Sequence, residues 1–184
     1  MVALMVVGGI VLVLVIYIIG VYNRLVTLKN RGDESWAQID VQLKRRTDLI
    51  PNLVETVKGY ATHEKETLEN VIKARGMMQS AGSDPGKMAE ADNMISGALK
   101  SLFAVTENYP QLKADKNFQM LQQELTGTED RIAYARQFYN EAVRLFNEYK
   151  QQFPPIIFSN ALGFKDKVFF VTEEEDKKPV KVKF

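Results

Sequence analysis

The sequence predicts an all-α fold: an N-terminal transmembrane helix that continues into an antiparallel, four-helix-bundle-like domain of long helices, followed by an irregular C-terminal tail. Three observations carry this. No charged side chain occurs from Met1 to Tyr22. Two later stretches hold apolar residues at alternating spacings of three and four, the signature of a helix with one buried face. Between the periodic stretches lie proline and glycine-serine clusters that break helices. About 160 residues follow the apolar run, the size of one domain with its own core.

The run from Val6 to Val21 is dominated by branched aliphatics. A helix over residues 1–22 rises about 33 Å, enough to cross a hydrocarbon core of about 30 Å. No water is present there to satisfy peptide groups, so a single such segment has to be helical. A removable signal peptide has a basic start, a shorter apolar core and small residues before the cut. Here no Lys or Arg precedes the run, and Ile19-Gly20-Val21-Tyr22-Asn23 lacks such a site, so a retained anchor is expected. Arg24, Lys29 and Arg31 follow the span and no basic side chain precedes it. By the positive-inside rule the short N-terminus lies outside and the bulk in the cytoplasm.

After Arg24 the pattern turns amphipathic without a break. Leu25, Leu28, Trp36, Ile39 and Leu43 share one stripe, with a gap at Gly32. Leu49-Ile50-Pro51 is read as the end of this helix, because the residue before proline is pushed out of the α region. Asp48 then caps a second helix that carries Leu53, Val57, Tyr60, Leu68, Val71 and Met78. The stretch from Ser80 to Gly86 is the clearest loop signal. Met88, Ala91, Ile95, Ala98, Leu102, Val105 and Tyr109 form a strict heptad on the third helix, stopped by Pro110. The fourth and longest helix carries Phe118, Leu121, Leu125, Thr128, Ile132, Ala135, Tyr139, Ala142, Phe146, Tyr149 and Phe153. A 3.5-residue period held this long implies coiled-coil-like packing. The expected helices are therefore 23–47, 49–80, 86–109 and 115–153, with a tail over 154–184 whose end alternates like a short strand or extended arm.

Composition excludes more chemistry than it suggests. The net charge is +1 and there is no cysteine, so nucleic acid is not indicated as a partner and thiolate chemistry is absent. His63 is the sole histidine. It precedes Glu64, but Thr67 stands where a zinc-protease helix needs its second histidine. A di-iron bundle needs Glu-x-x-His pairs on two helices. Gly82 to Lys87 resembles a phosphate loop only faintly, being one residue short and following a helix. No serine lies in a nucleophile elbow. No catalytic, cofactor-binding or metal-binding residue is therefore expected, and no cofactor. Lys44-Arg45-Arg46 lies more than about 30 Å beyond the span along a straight helix, several Debye lengths from lipid. It is expected to pair with Asp40, Asp48 or acidic residues of a neighbouring helix.

Several blocks resemble the LemA family of bacterial membrane proteins. They are Tyr22-Asn23, Leu25-Val26, Leu28-Lys29-Asn30, then Trp36-x-Gln38-Ile39-Asp40-Val41-Gln42-Leu43-Lys44-Arg45-Arg46-x-Asp48-Leu49-Ile50-Pro51-Asn52-Leu53-Val54. Further on, Glu107-Asn108-Tyr109-Pro110, Leu112-Lys113-Ala114, Arg131-Ile132-Ala133, Ala135-Arg136, Tyr139-Asn140, Phe153-Pro154 and Gly163-Phe164 agree. Gly32 departs from the pattern, where a branched apolar residue is more usual. The resemblance implies a single-pass anchor in the bacterial plasma membrane bearing a cytoplasmic helical bundle. It brings no catalytic residue or cofactor, and so supplies a fold and a location without a mechanism.

The polar residues of the pattern are Gln38, Asp40, Gln42, Arg45, Arg46, Asp48, Asn52, Glu107, Asn108, Tyr109 and Asn140. They are read as either a register-fixing network or a docking surface. Three functions are weighed: a membrane-anchored scaffold acting through self-assembly or a membrane or cytoplasmic partner protein, a protein that shapes membranes or answers envelope stress by acting on lipid, and an enzyme using bundle carboxylates. The first is favoured. Residues 1–22 contact the lipid bilayer, and the long heptad suggests a homo-oligomer, although the span has no GxxxG motif.

Overall fold

The uncharged run and the amphipathic stretch behind it form one unbroken helix, α1, Val2–Lys58, 57 residues long. At about 1.5 Å per residue it extends about 85 Å. The computed structural model describes residues 1–171. After α1 come α2 (Lys65–Ser80), α3 (Pro85–Thr106), the short α4 (Pro110–Ala114), α5 (Lys116–Gln151) and the short α6 (Pro155–Ser159). Among the described residues there is no strand. The expected strand-like end, Pro179 to Phe184, lies outside the described residues.

The break expected at Leu49-Ile50-Pro51 does not occur. Pro51 lies inside α1, and Asp48 is an exposed mid-helix residue rather than a cap. The first turn falls instead at Gly59 to Glu64, so the second helix starts at Lys65. The reason is tertiary. A proline inside a helix orphans the carbonyl four residues back, here that of Thr47. The side chain of Arg75 on α2 donates its Nε–H to that carbonyl at 3.2 Å. Thr47 in turn donates its hydroxyl to Leu43 O at 2.8 Å. A neighbouring helix thus supplies the bond that the proline cannot.

The distal half of α1 packs with α2, α3 and α5 as an antiparallel bundle around one core, with Ile39, Leu53, Ile95, Leu102, Phe118 and Ile132 buried. Asp84 caps α3, accepting from Lys87 N–H at 3.0 Å, with Pro85 in the first turn. Asp115 caps α5, accepting from Phe118 N–H at 2.9 Å. The heptad stripes hold at first and then shift by one residue. On α3 the buried set moves from Ala98 and Val105 to Leu99 and Thr106, and on α5 from Ala142 and Tyr149 to Val143 and Lys150. A straight helix drifts about 20° per heptad against a strict 3.5 repeat, which brings the next residue inward.

α5 has 36 residues and α3 only 22. The surplus, about 20 Å, runs down beside the proximal half of α1. There Val21, Leu25, Leu28 and Phe146 form a second small core with Leu145, Tyr149 and Phe164. The molecule is a four-helix bundle on a two-helix stalk, with one helix of the stalk continuing as the apolar run. That run is a candidate membrane span, and up to Tyr17 none of it is covered by the rest of the chain.

Candidate functional site

The most elaborate polar construction in the fold is a groove between the proximal part of α1 and α5, filled by the chain after α6. Gly163 turns the chain with a φ of +79°, a left-handed conformation that glycine adopts without penalty. From Phe164 the chain runs extended back up the stalk. Two asparagines one heptad apart hold it. The Asn147 side chain donates to Lys167 O and accepts from Lys167 N–H, both at 2.9 Å. Asn140 donates to Phe170 O at 3.0 Å and accepts from Phe170 N–H at 2.9 Å. Seven helical residues rise about 10.5 Å, and three extended residues span about 10 Å. The two spacings match, so each amide acts as a strand neighbour for the N–H and C=O of one residue.

Other contacts fasten the same arm. The Tyr139 hydroxyl donates to Val168 O at 2.8 Å. Burial, with the nearby Asp33 carboxylate adding to it, pushes the Tyr139 phenol up to about 12, so it remains a donor at any physiological pH. Lys150 pairs with Asp166 at 2.8 Å and Lys167 with Asp33 at 2.6 Å. Burial alone pushes Asp33 up, but the ammonium groups of Lys167 and Lys29 outweigh it and hold the carboxyl below its ordinary value. Phe170 is fully buried and packs on Trp36, whose ring centre lies 6.1 Å from Phe170 and 5.3 Å from Tyr139. Gly32 explains itself here. A Cβ on it would stand 3.0 Å from Lys167 Cε, so the glycine provides the bed for the lysine stem.

A second polar centre lies inside the bundle. Arg46 is 1% exposed and donates to Asp92 of α3 at 2.7 Å, with Glu129 of α5 at 3.7 Å. Desolvation pushes the Asp92 carboxyl up, and the Arg46 guanidinium draws it partly back. This pair ties α1 to α3 and fixes their register. Arg45, one residue earlier and exposed, pairs with Glu124 of α5. Both arginines thus bond acidic residues of neighbouring helices, not Asp40 or Asp48.

The eleven pattern residues do not converge on one site. Arg46 and Asn140 belong to the two centres just described, and Arg45 to the surface pair. The Tyr109 hydroxyl donates to Glu64 at 2.9 Å, tying the α3–α4 turn to the start of α2. Asp40, Asp48, Asn52, Glu107 and Asn108 are exposed. Gln38 and Gln42 line a shallow surface groove of about 540 Å³ with Val41, Arg131, Tyr134 and Phe138. In it Val41, Tyr134 and Phe138 are 61%, 66% and 65% exposed. Gln42 Oε1, although buried, has no hydrogen-bond partner among the described residues. Sequence reasoning missed Arg75, Asp92 and Asn147. Asn147 had a visible signal, its one-heptad distance from Asn140, whereas Arg75 and Asp92 are legible only once α2 and α3 are placed against α1. Among the described residues no three His, Asp or Glu side chains gather in a metal-binding geometry.

The LemA family model matches residues 35–184. The chain belongs to the LemA family. Magnetosome protein MamQ 2 of Paramagnetospirillum magneticum is 27% identical over 184 aligned residues, covering 86% of this chain and 68% of that protein. Protein LemA of Metamycoplasma hominis is 26% identical over 129 residues, covering 70% of this chain and 59% of that protein. Magnetosome protein MamQ of Magnetospirillum gryphiswaldense is 25% identical over 174 residues, covering 81% and 64%. The LemA match starts beyond the apolar run and takes in the whole bundle, the upper stalk and the docked arm. Both asparagines of the arm groove fall within it.

Proposed function

We propose that the protein is a membrane-anchored scaffold with no catalytic site of its own, which works by association with further copies of itself. It sits in the bacterial plasma membrane through residues 1–22, with the bundle on the cytoplasmic side. The basic residues Arg24, Lys29 and Arg31 after the span support that orientation. The observation that carries the reading is the groove around Val41, Tyr134 and Phe138. Three large apolar side chains stand mostly exposed there, side by side on α1 and α5, with a buried amide oxygen of Gln42 beside them. Aromatic residues set among polar ones are typical of the anchors at protein interfaces. A shared membrane supports a second copy as the occupant. Val41 stands about 29 Å along α1 beyond Tyr22, so every copy carries its groove at the same height and diffusion in two dimensions brings like to like.

Light scattering on the full-length protein in detergent tests this. The wild type should have the mass of an oligomer, and Phe138→Asp should drop it to a monomer with unchanged helical content. A monomeric wild type, or an oligomer indifferent to Phe138→Asp and Tyr134→Asp, would refute self-association through this face. A second reading, action on the lipid bilayer itself, is supported by the uncharged segment that follows α5.

A further inference from the structure

Between Lys150 and Lys165 lie fourteen consecutive residues, Gln151 to Phe164, without a charge, in a chain of which 26% is charged. They form the turn out of α5, the helix α6 and the return to the arm. Phe153 is 79% exposed and Ile157 58%, with Ile156 and Leu162 exposed beside them. In water this is a poor place for such side chains, since monomeric proteins seldom gather exposed apolar groups without a partner.

The position of the turn supplies the partner. α5 runs antiparallel to α1, so its last turns travel toward the apolar run. Ile18 is the first residue of α1 that the rest of the chain partly covers, and Val21 is buried. Tyr149 packs against the small core of Val21, Leu25 and Leu28, and α6 packs on α1. Phe164 stacks edge-on with Tyr22 at 5.9 Å. The uncharged turn therefore lies level with Ile18 to Tyr22, inside the uncharged part of α1. Aromatic residues gather at this level: Phe153 and Phe164 in the turn, and Tyr17, Tyr22 and Tyr149 on the two helices beside it. Aromatic rings favour the border between head groups and acyl chains. Lys165 and Arg24, both exposed, flank the turn on the side where lipid phosphates would lie.

We infer that residues 151–164 are a second membrane contact, a non-spanning turn whose Phe153, Ile156, Ile157 and Leu162 enter the interface of the leaflet from which α1 emerges. This rests on α1 crossing the bilayer. It goes further than anchoring, because one helix alone leaves the domain free to tilt. A second contact on the adjoining helix of the stalk holds the bundle upright and places its side groove at a fixed height. Binding of this kind is driven by apolar burial and strengthened by anionic lipid.

The chain has no cysteine, so single spin labels test the inference on the full-length protein in vesicles of phosphatidylcholine and phosphatidylglycerol. Labels go on Ile157→Cys, on Val11→Cys within the span and on Lys116→Cys, exposed at the start of α5 and away from the side groove, each probed for collisions with oxygen and with a water-soluble nickel chelate. Ile157 and Val11 should both lose accessibility to nickel relative to Lys116 while keeping it to oxygen. Val11 in lipid with Ile157 open to nickel would overturn this inference and leave the anchor intact. Val11 open to nickel would overturn the anchor itself, and this inference with it. An Ile157 label shielded from both probes would mean a protein cover instead of lipid, which also refutes it.

Discussion

Replacing Asn147 with alanine should undock the arm without loosening the bundle. The side chain makes two bonds of 2.9 Å with the backbone N–H and C=O of Lys167. Each contributes about 1 kcal/mol net, and an exposed extended chain regains water when they are lost, so the cost is about 2 kcal/mol. That corresponds to about a 30-fold shift in the docking equilibrium. Asn140→Ala removes the equivalent pair at Phe170, and the double variant should lose about 4 kcal/mol if the sites act independently. Hydrogen exchange read by mass spectrometry measures this directly, because the Lys167 and Phe170 amides are donors in these bonds. Exchange across residues 164–171 should quicken by about 30-fold in Asn147→Ala, with α2 and α3 unchanged. Trp36 is the sole tryptophan and lies against Phe170, so its emission should move to the red in the double variant. Unchanged exchange in the arm, or an equal loss of protection throughout the bundle, would refute the view that two side-chain amides hold the chain.

Removing Asp92 strands the buried Arg46 charge, so Asp92→Ala should cost about 3–5 kcal/mol in urea unfolding, while the paired replacement Arg46→Met with Asp92→Leu should be neutral or stabilising. Gly32→Val should raise arm exchange, because the new side chain displaces the Lys167 stem lying 3.0 Å from the Cβ position, while the bundle keeps its denaturation midpoint. Arm docking should respond to pH at both extremes. Asp33 has a lowered folded value, so its contribution is present above the ordinary 3.8 and is lost as pH falls through the folded value. Tyr139 is raised, so its contribution is intact below 10.0 and is lost as pH climbs toward about 12. Trp36 emission should therefore be flat between these limits, and a transition near neutrality would contradict the assignment. Arg75→Met should destabilise α1 around Pro51 by leaving Thr47 O without its donor, at a cost of about 1–3 kcal/mol, visible as faster exchange near residue 51. Equal protection in variant and wild type would show that the Arg75 bond is dispensable.

Local patterns fixed which stretches became helices and which faces became buried. The absence of charge through Tyr22 marked the apolar helix. The stripes at Ile39, Leu43, Leu53, Ile95, Leu102, Phe118 and Ile132 named the core, since burial of an apolar side chain depends on its own chemistry and its phase on the helix. The cap read from the sequence, at Asp48, is not one; the caps that form, Asp84 before Pro85 and Asp115, nonetheless have a local signal, since the bond runs to an amide three residues on. The helix through Pro51 was beyond such reading, because the group that compensates the proline is Arg75, 24 positions away in sequence. The same holds for Asp92 beside Arg46 and for Gly32, whose missing side chain matters only because Lys167 returns to lie on it. The arm groove was half visible, as two asparagines a heptad apart. That they hold a peptide became evident only when α5 proved long enough to reach down the stalk and carry the chain back along itself. Short-range bonds and apolar phase are written in neighbouring residues. A proline's relief, a buried charge's partner and the occupant of a groove are set by elements that meet only in the folded chain.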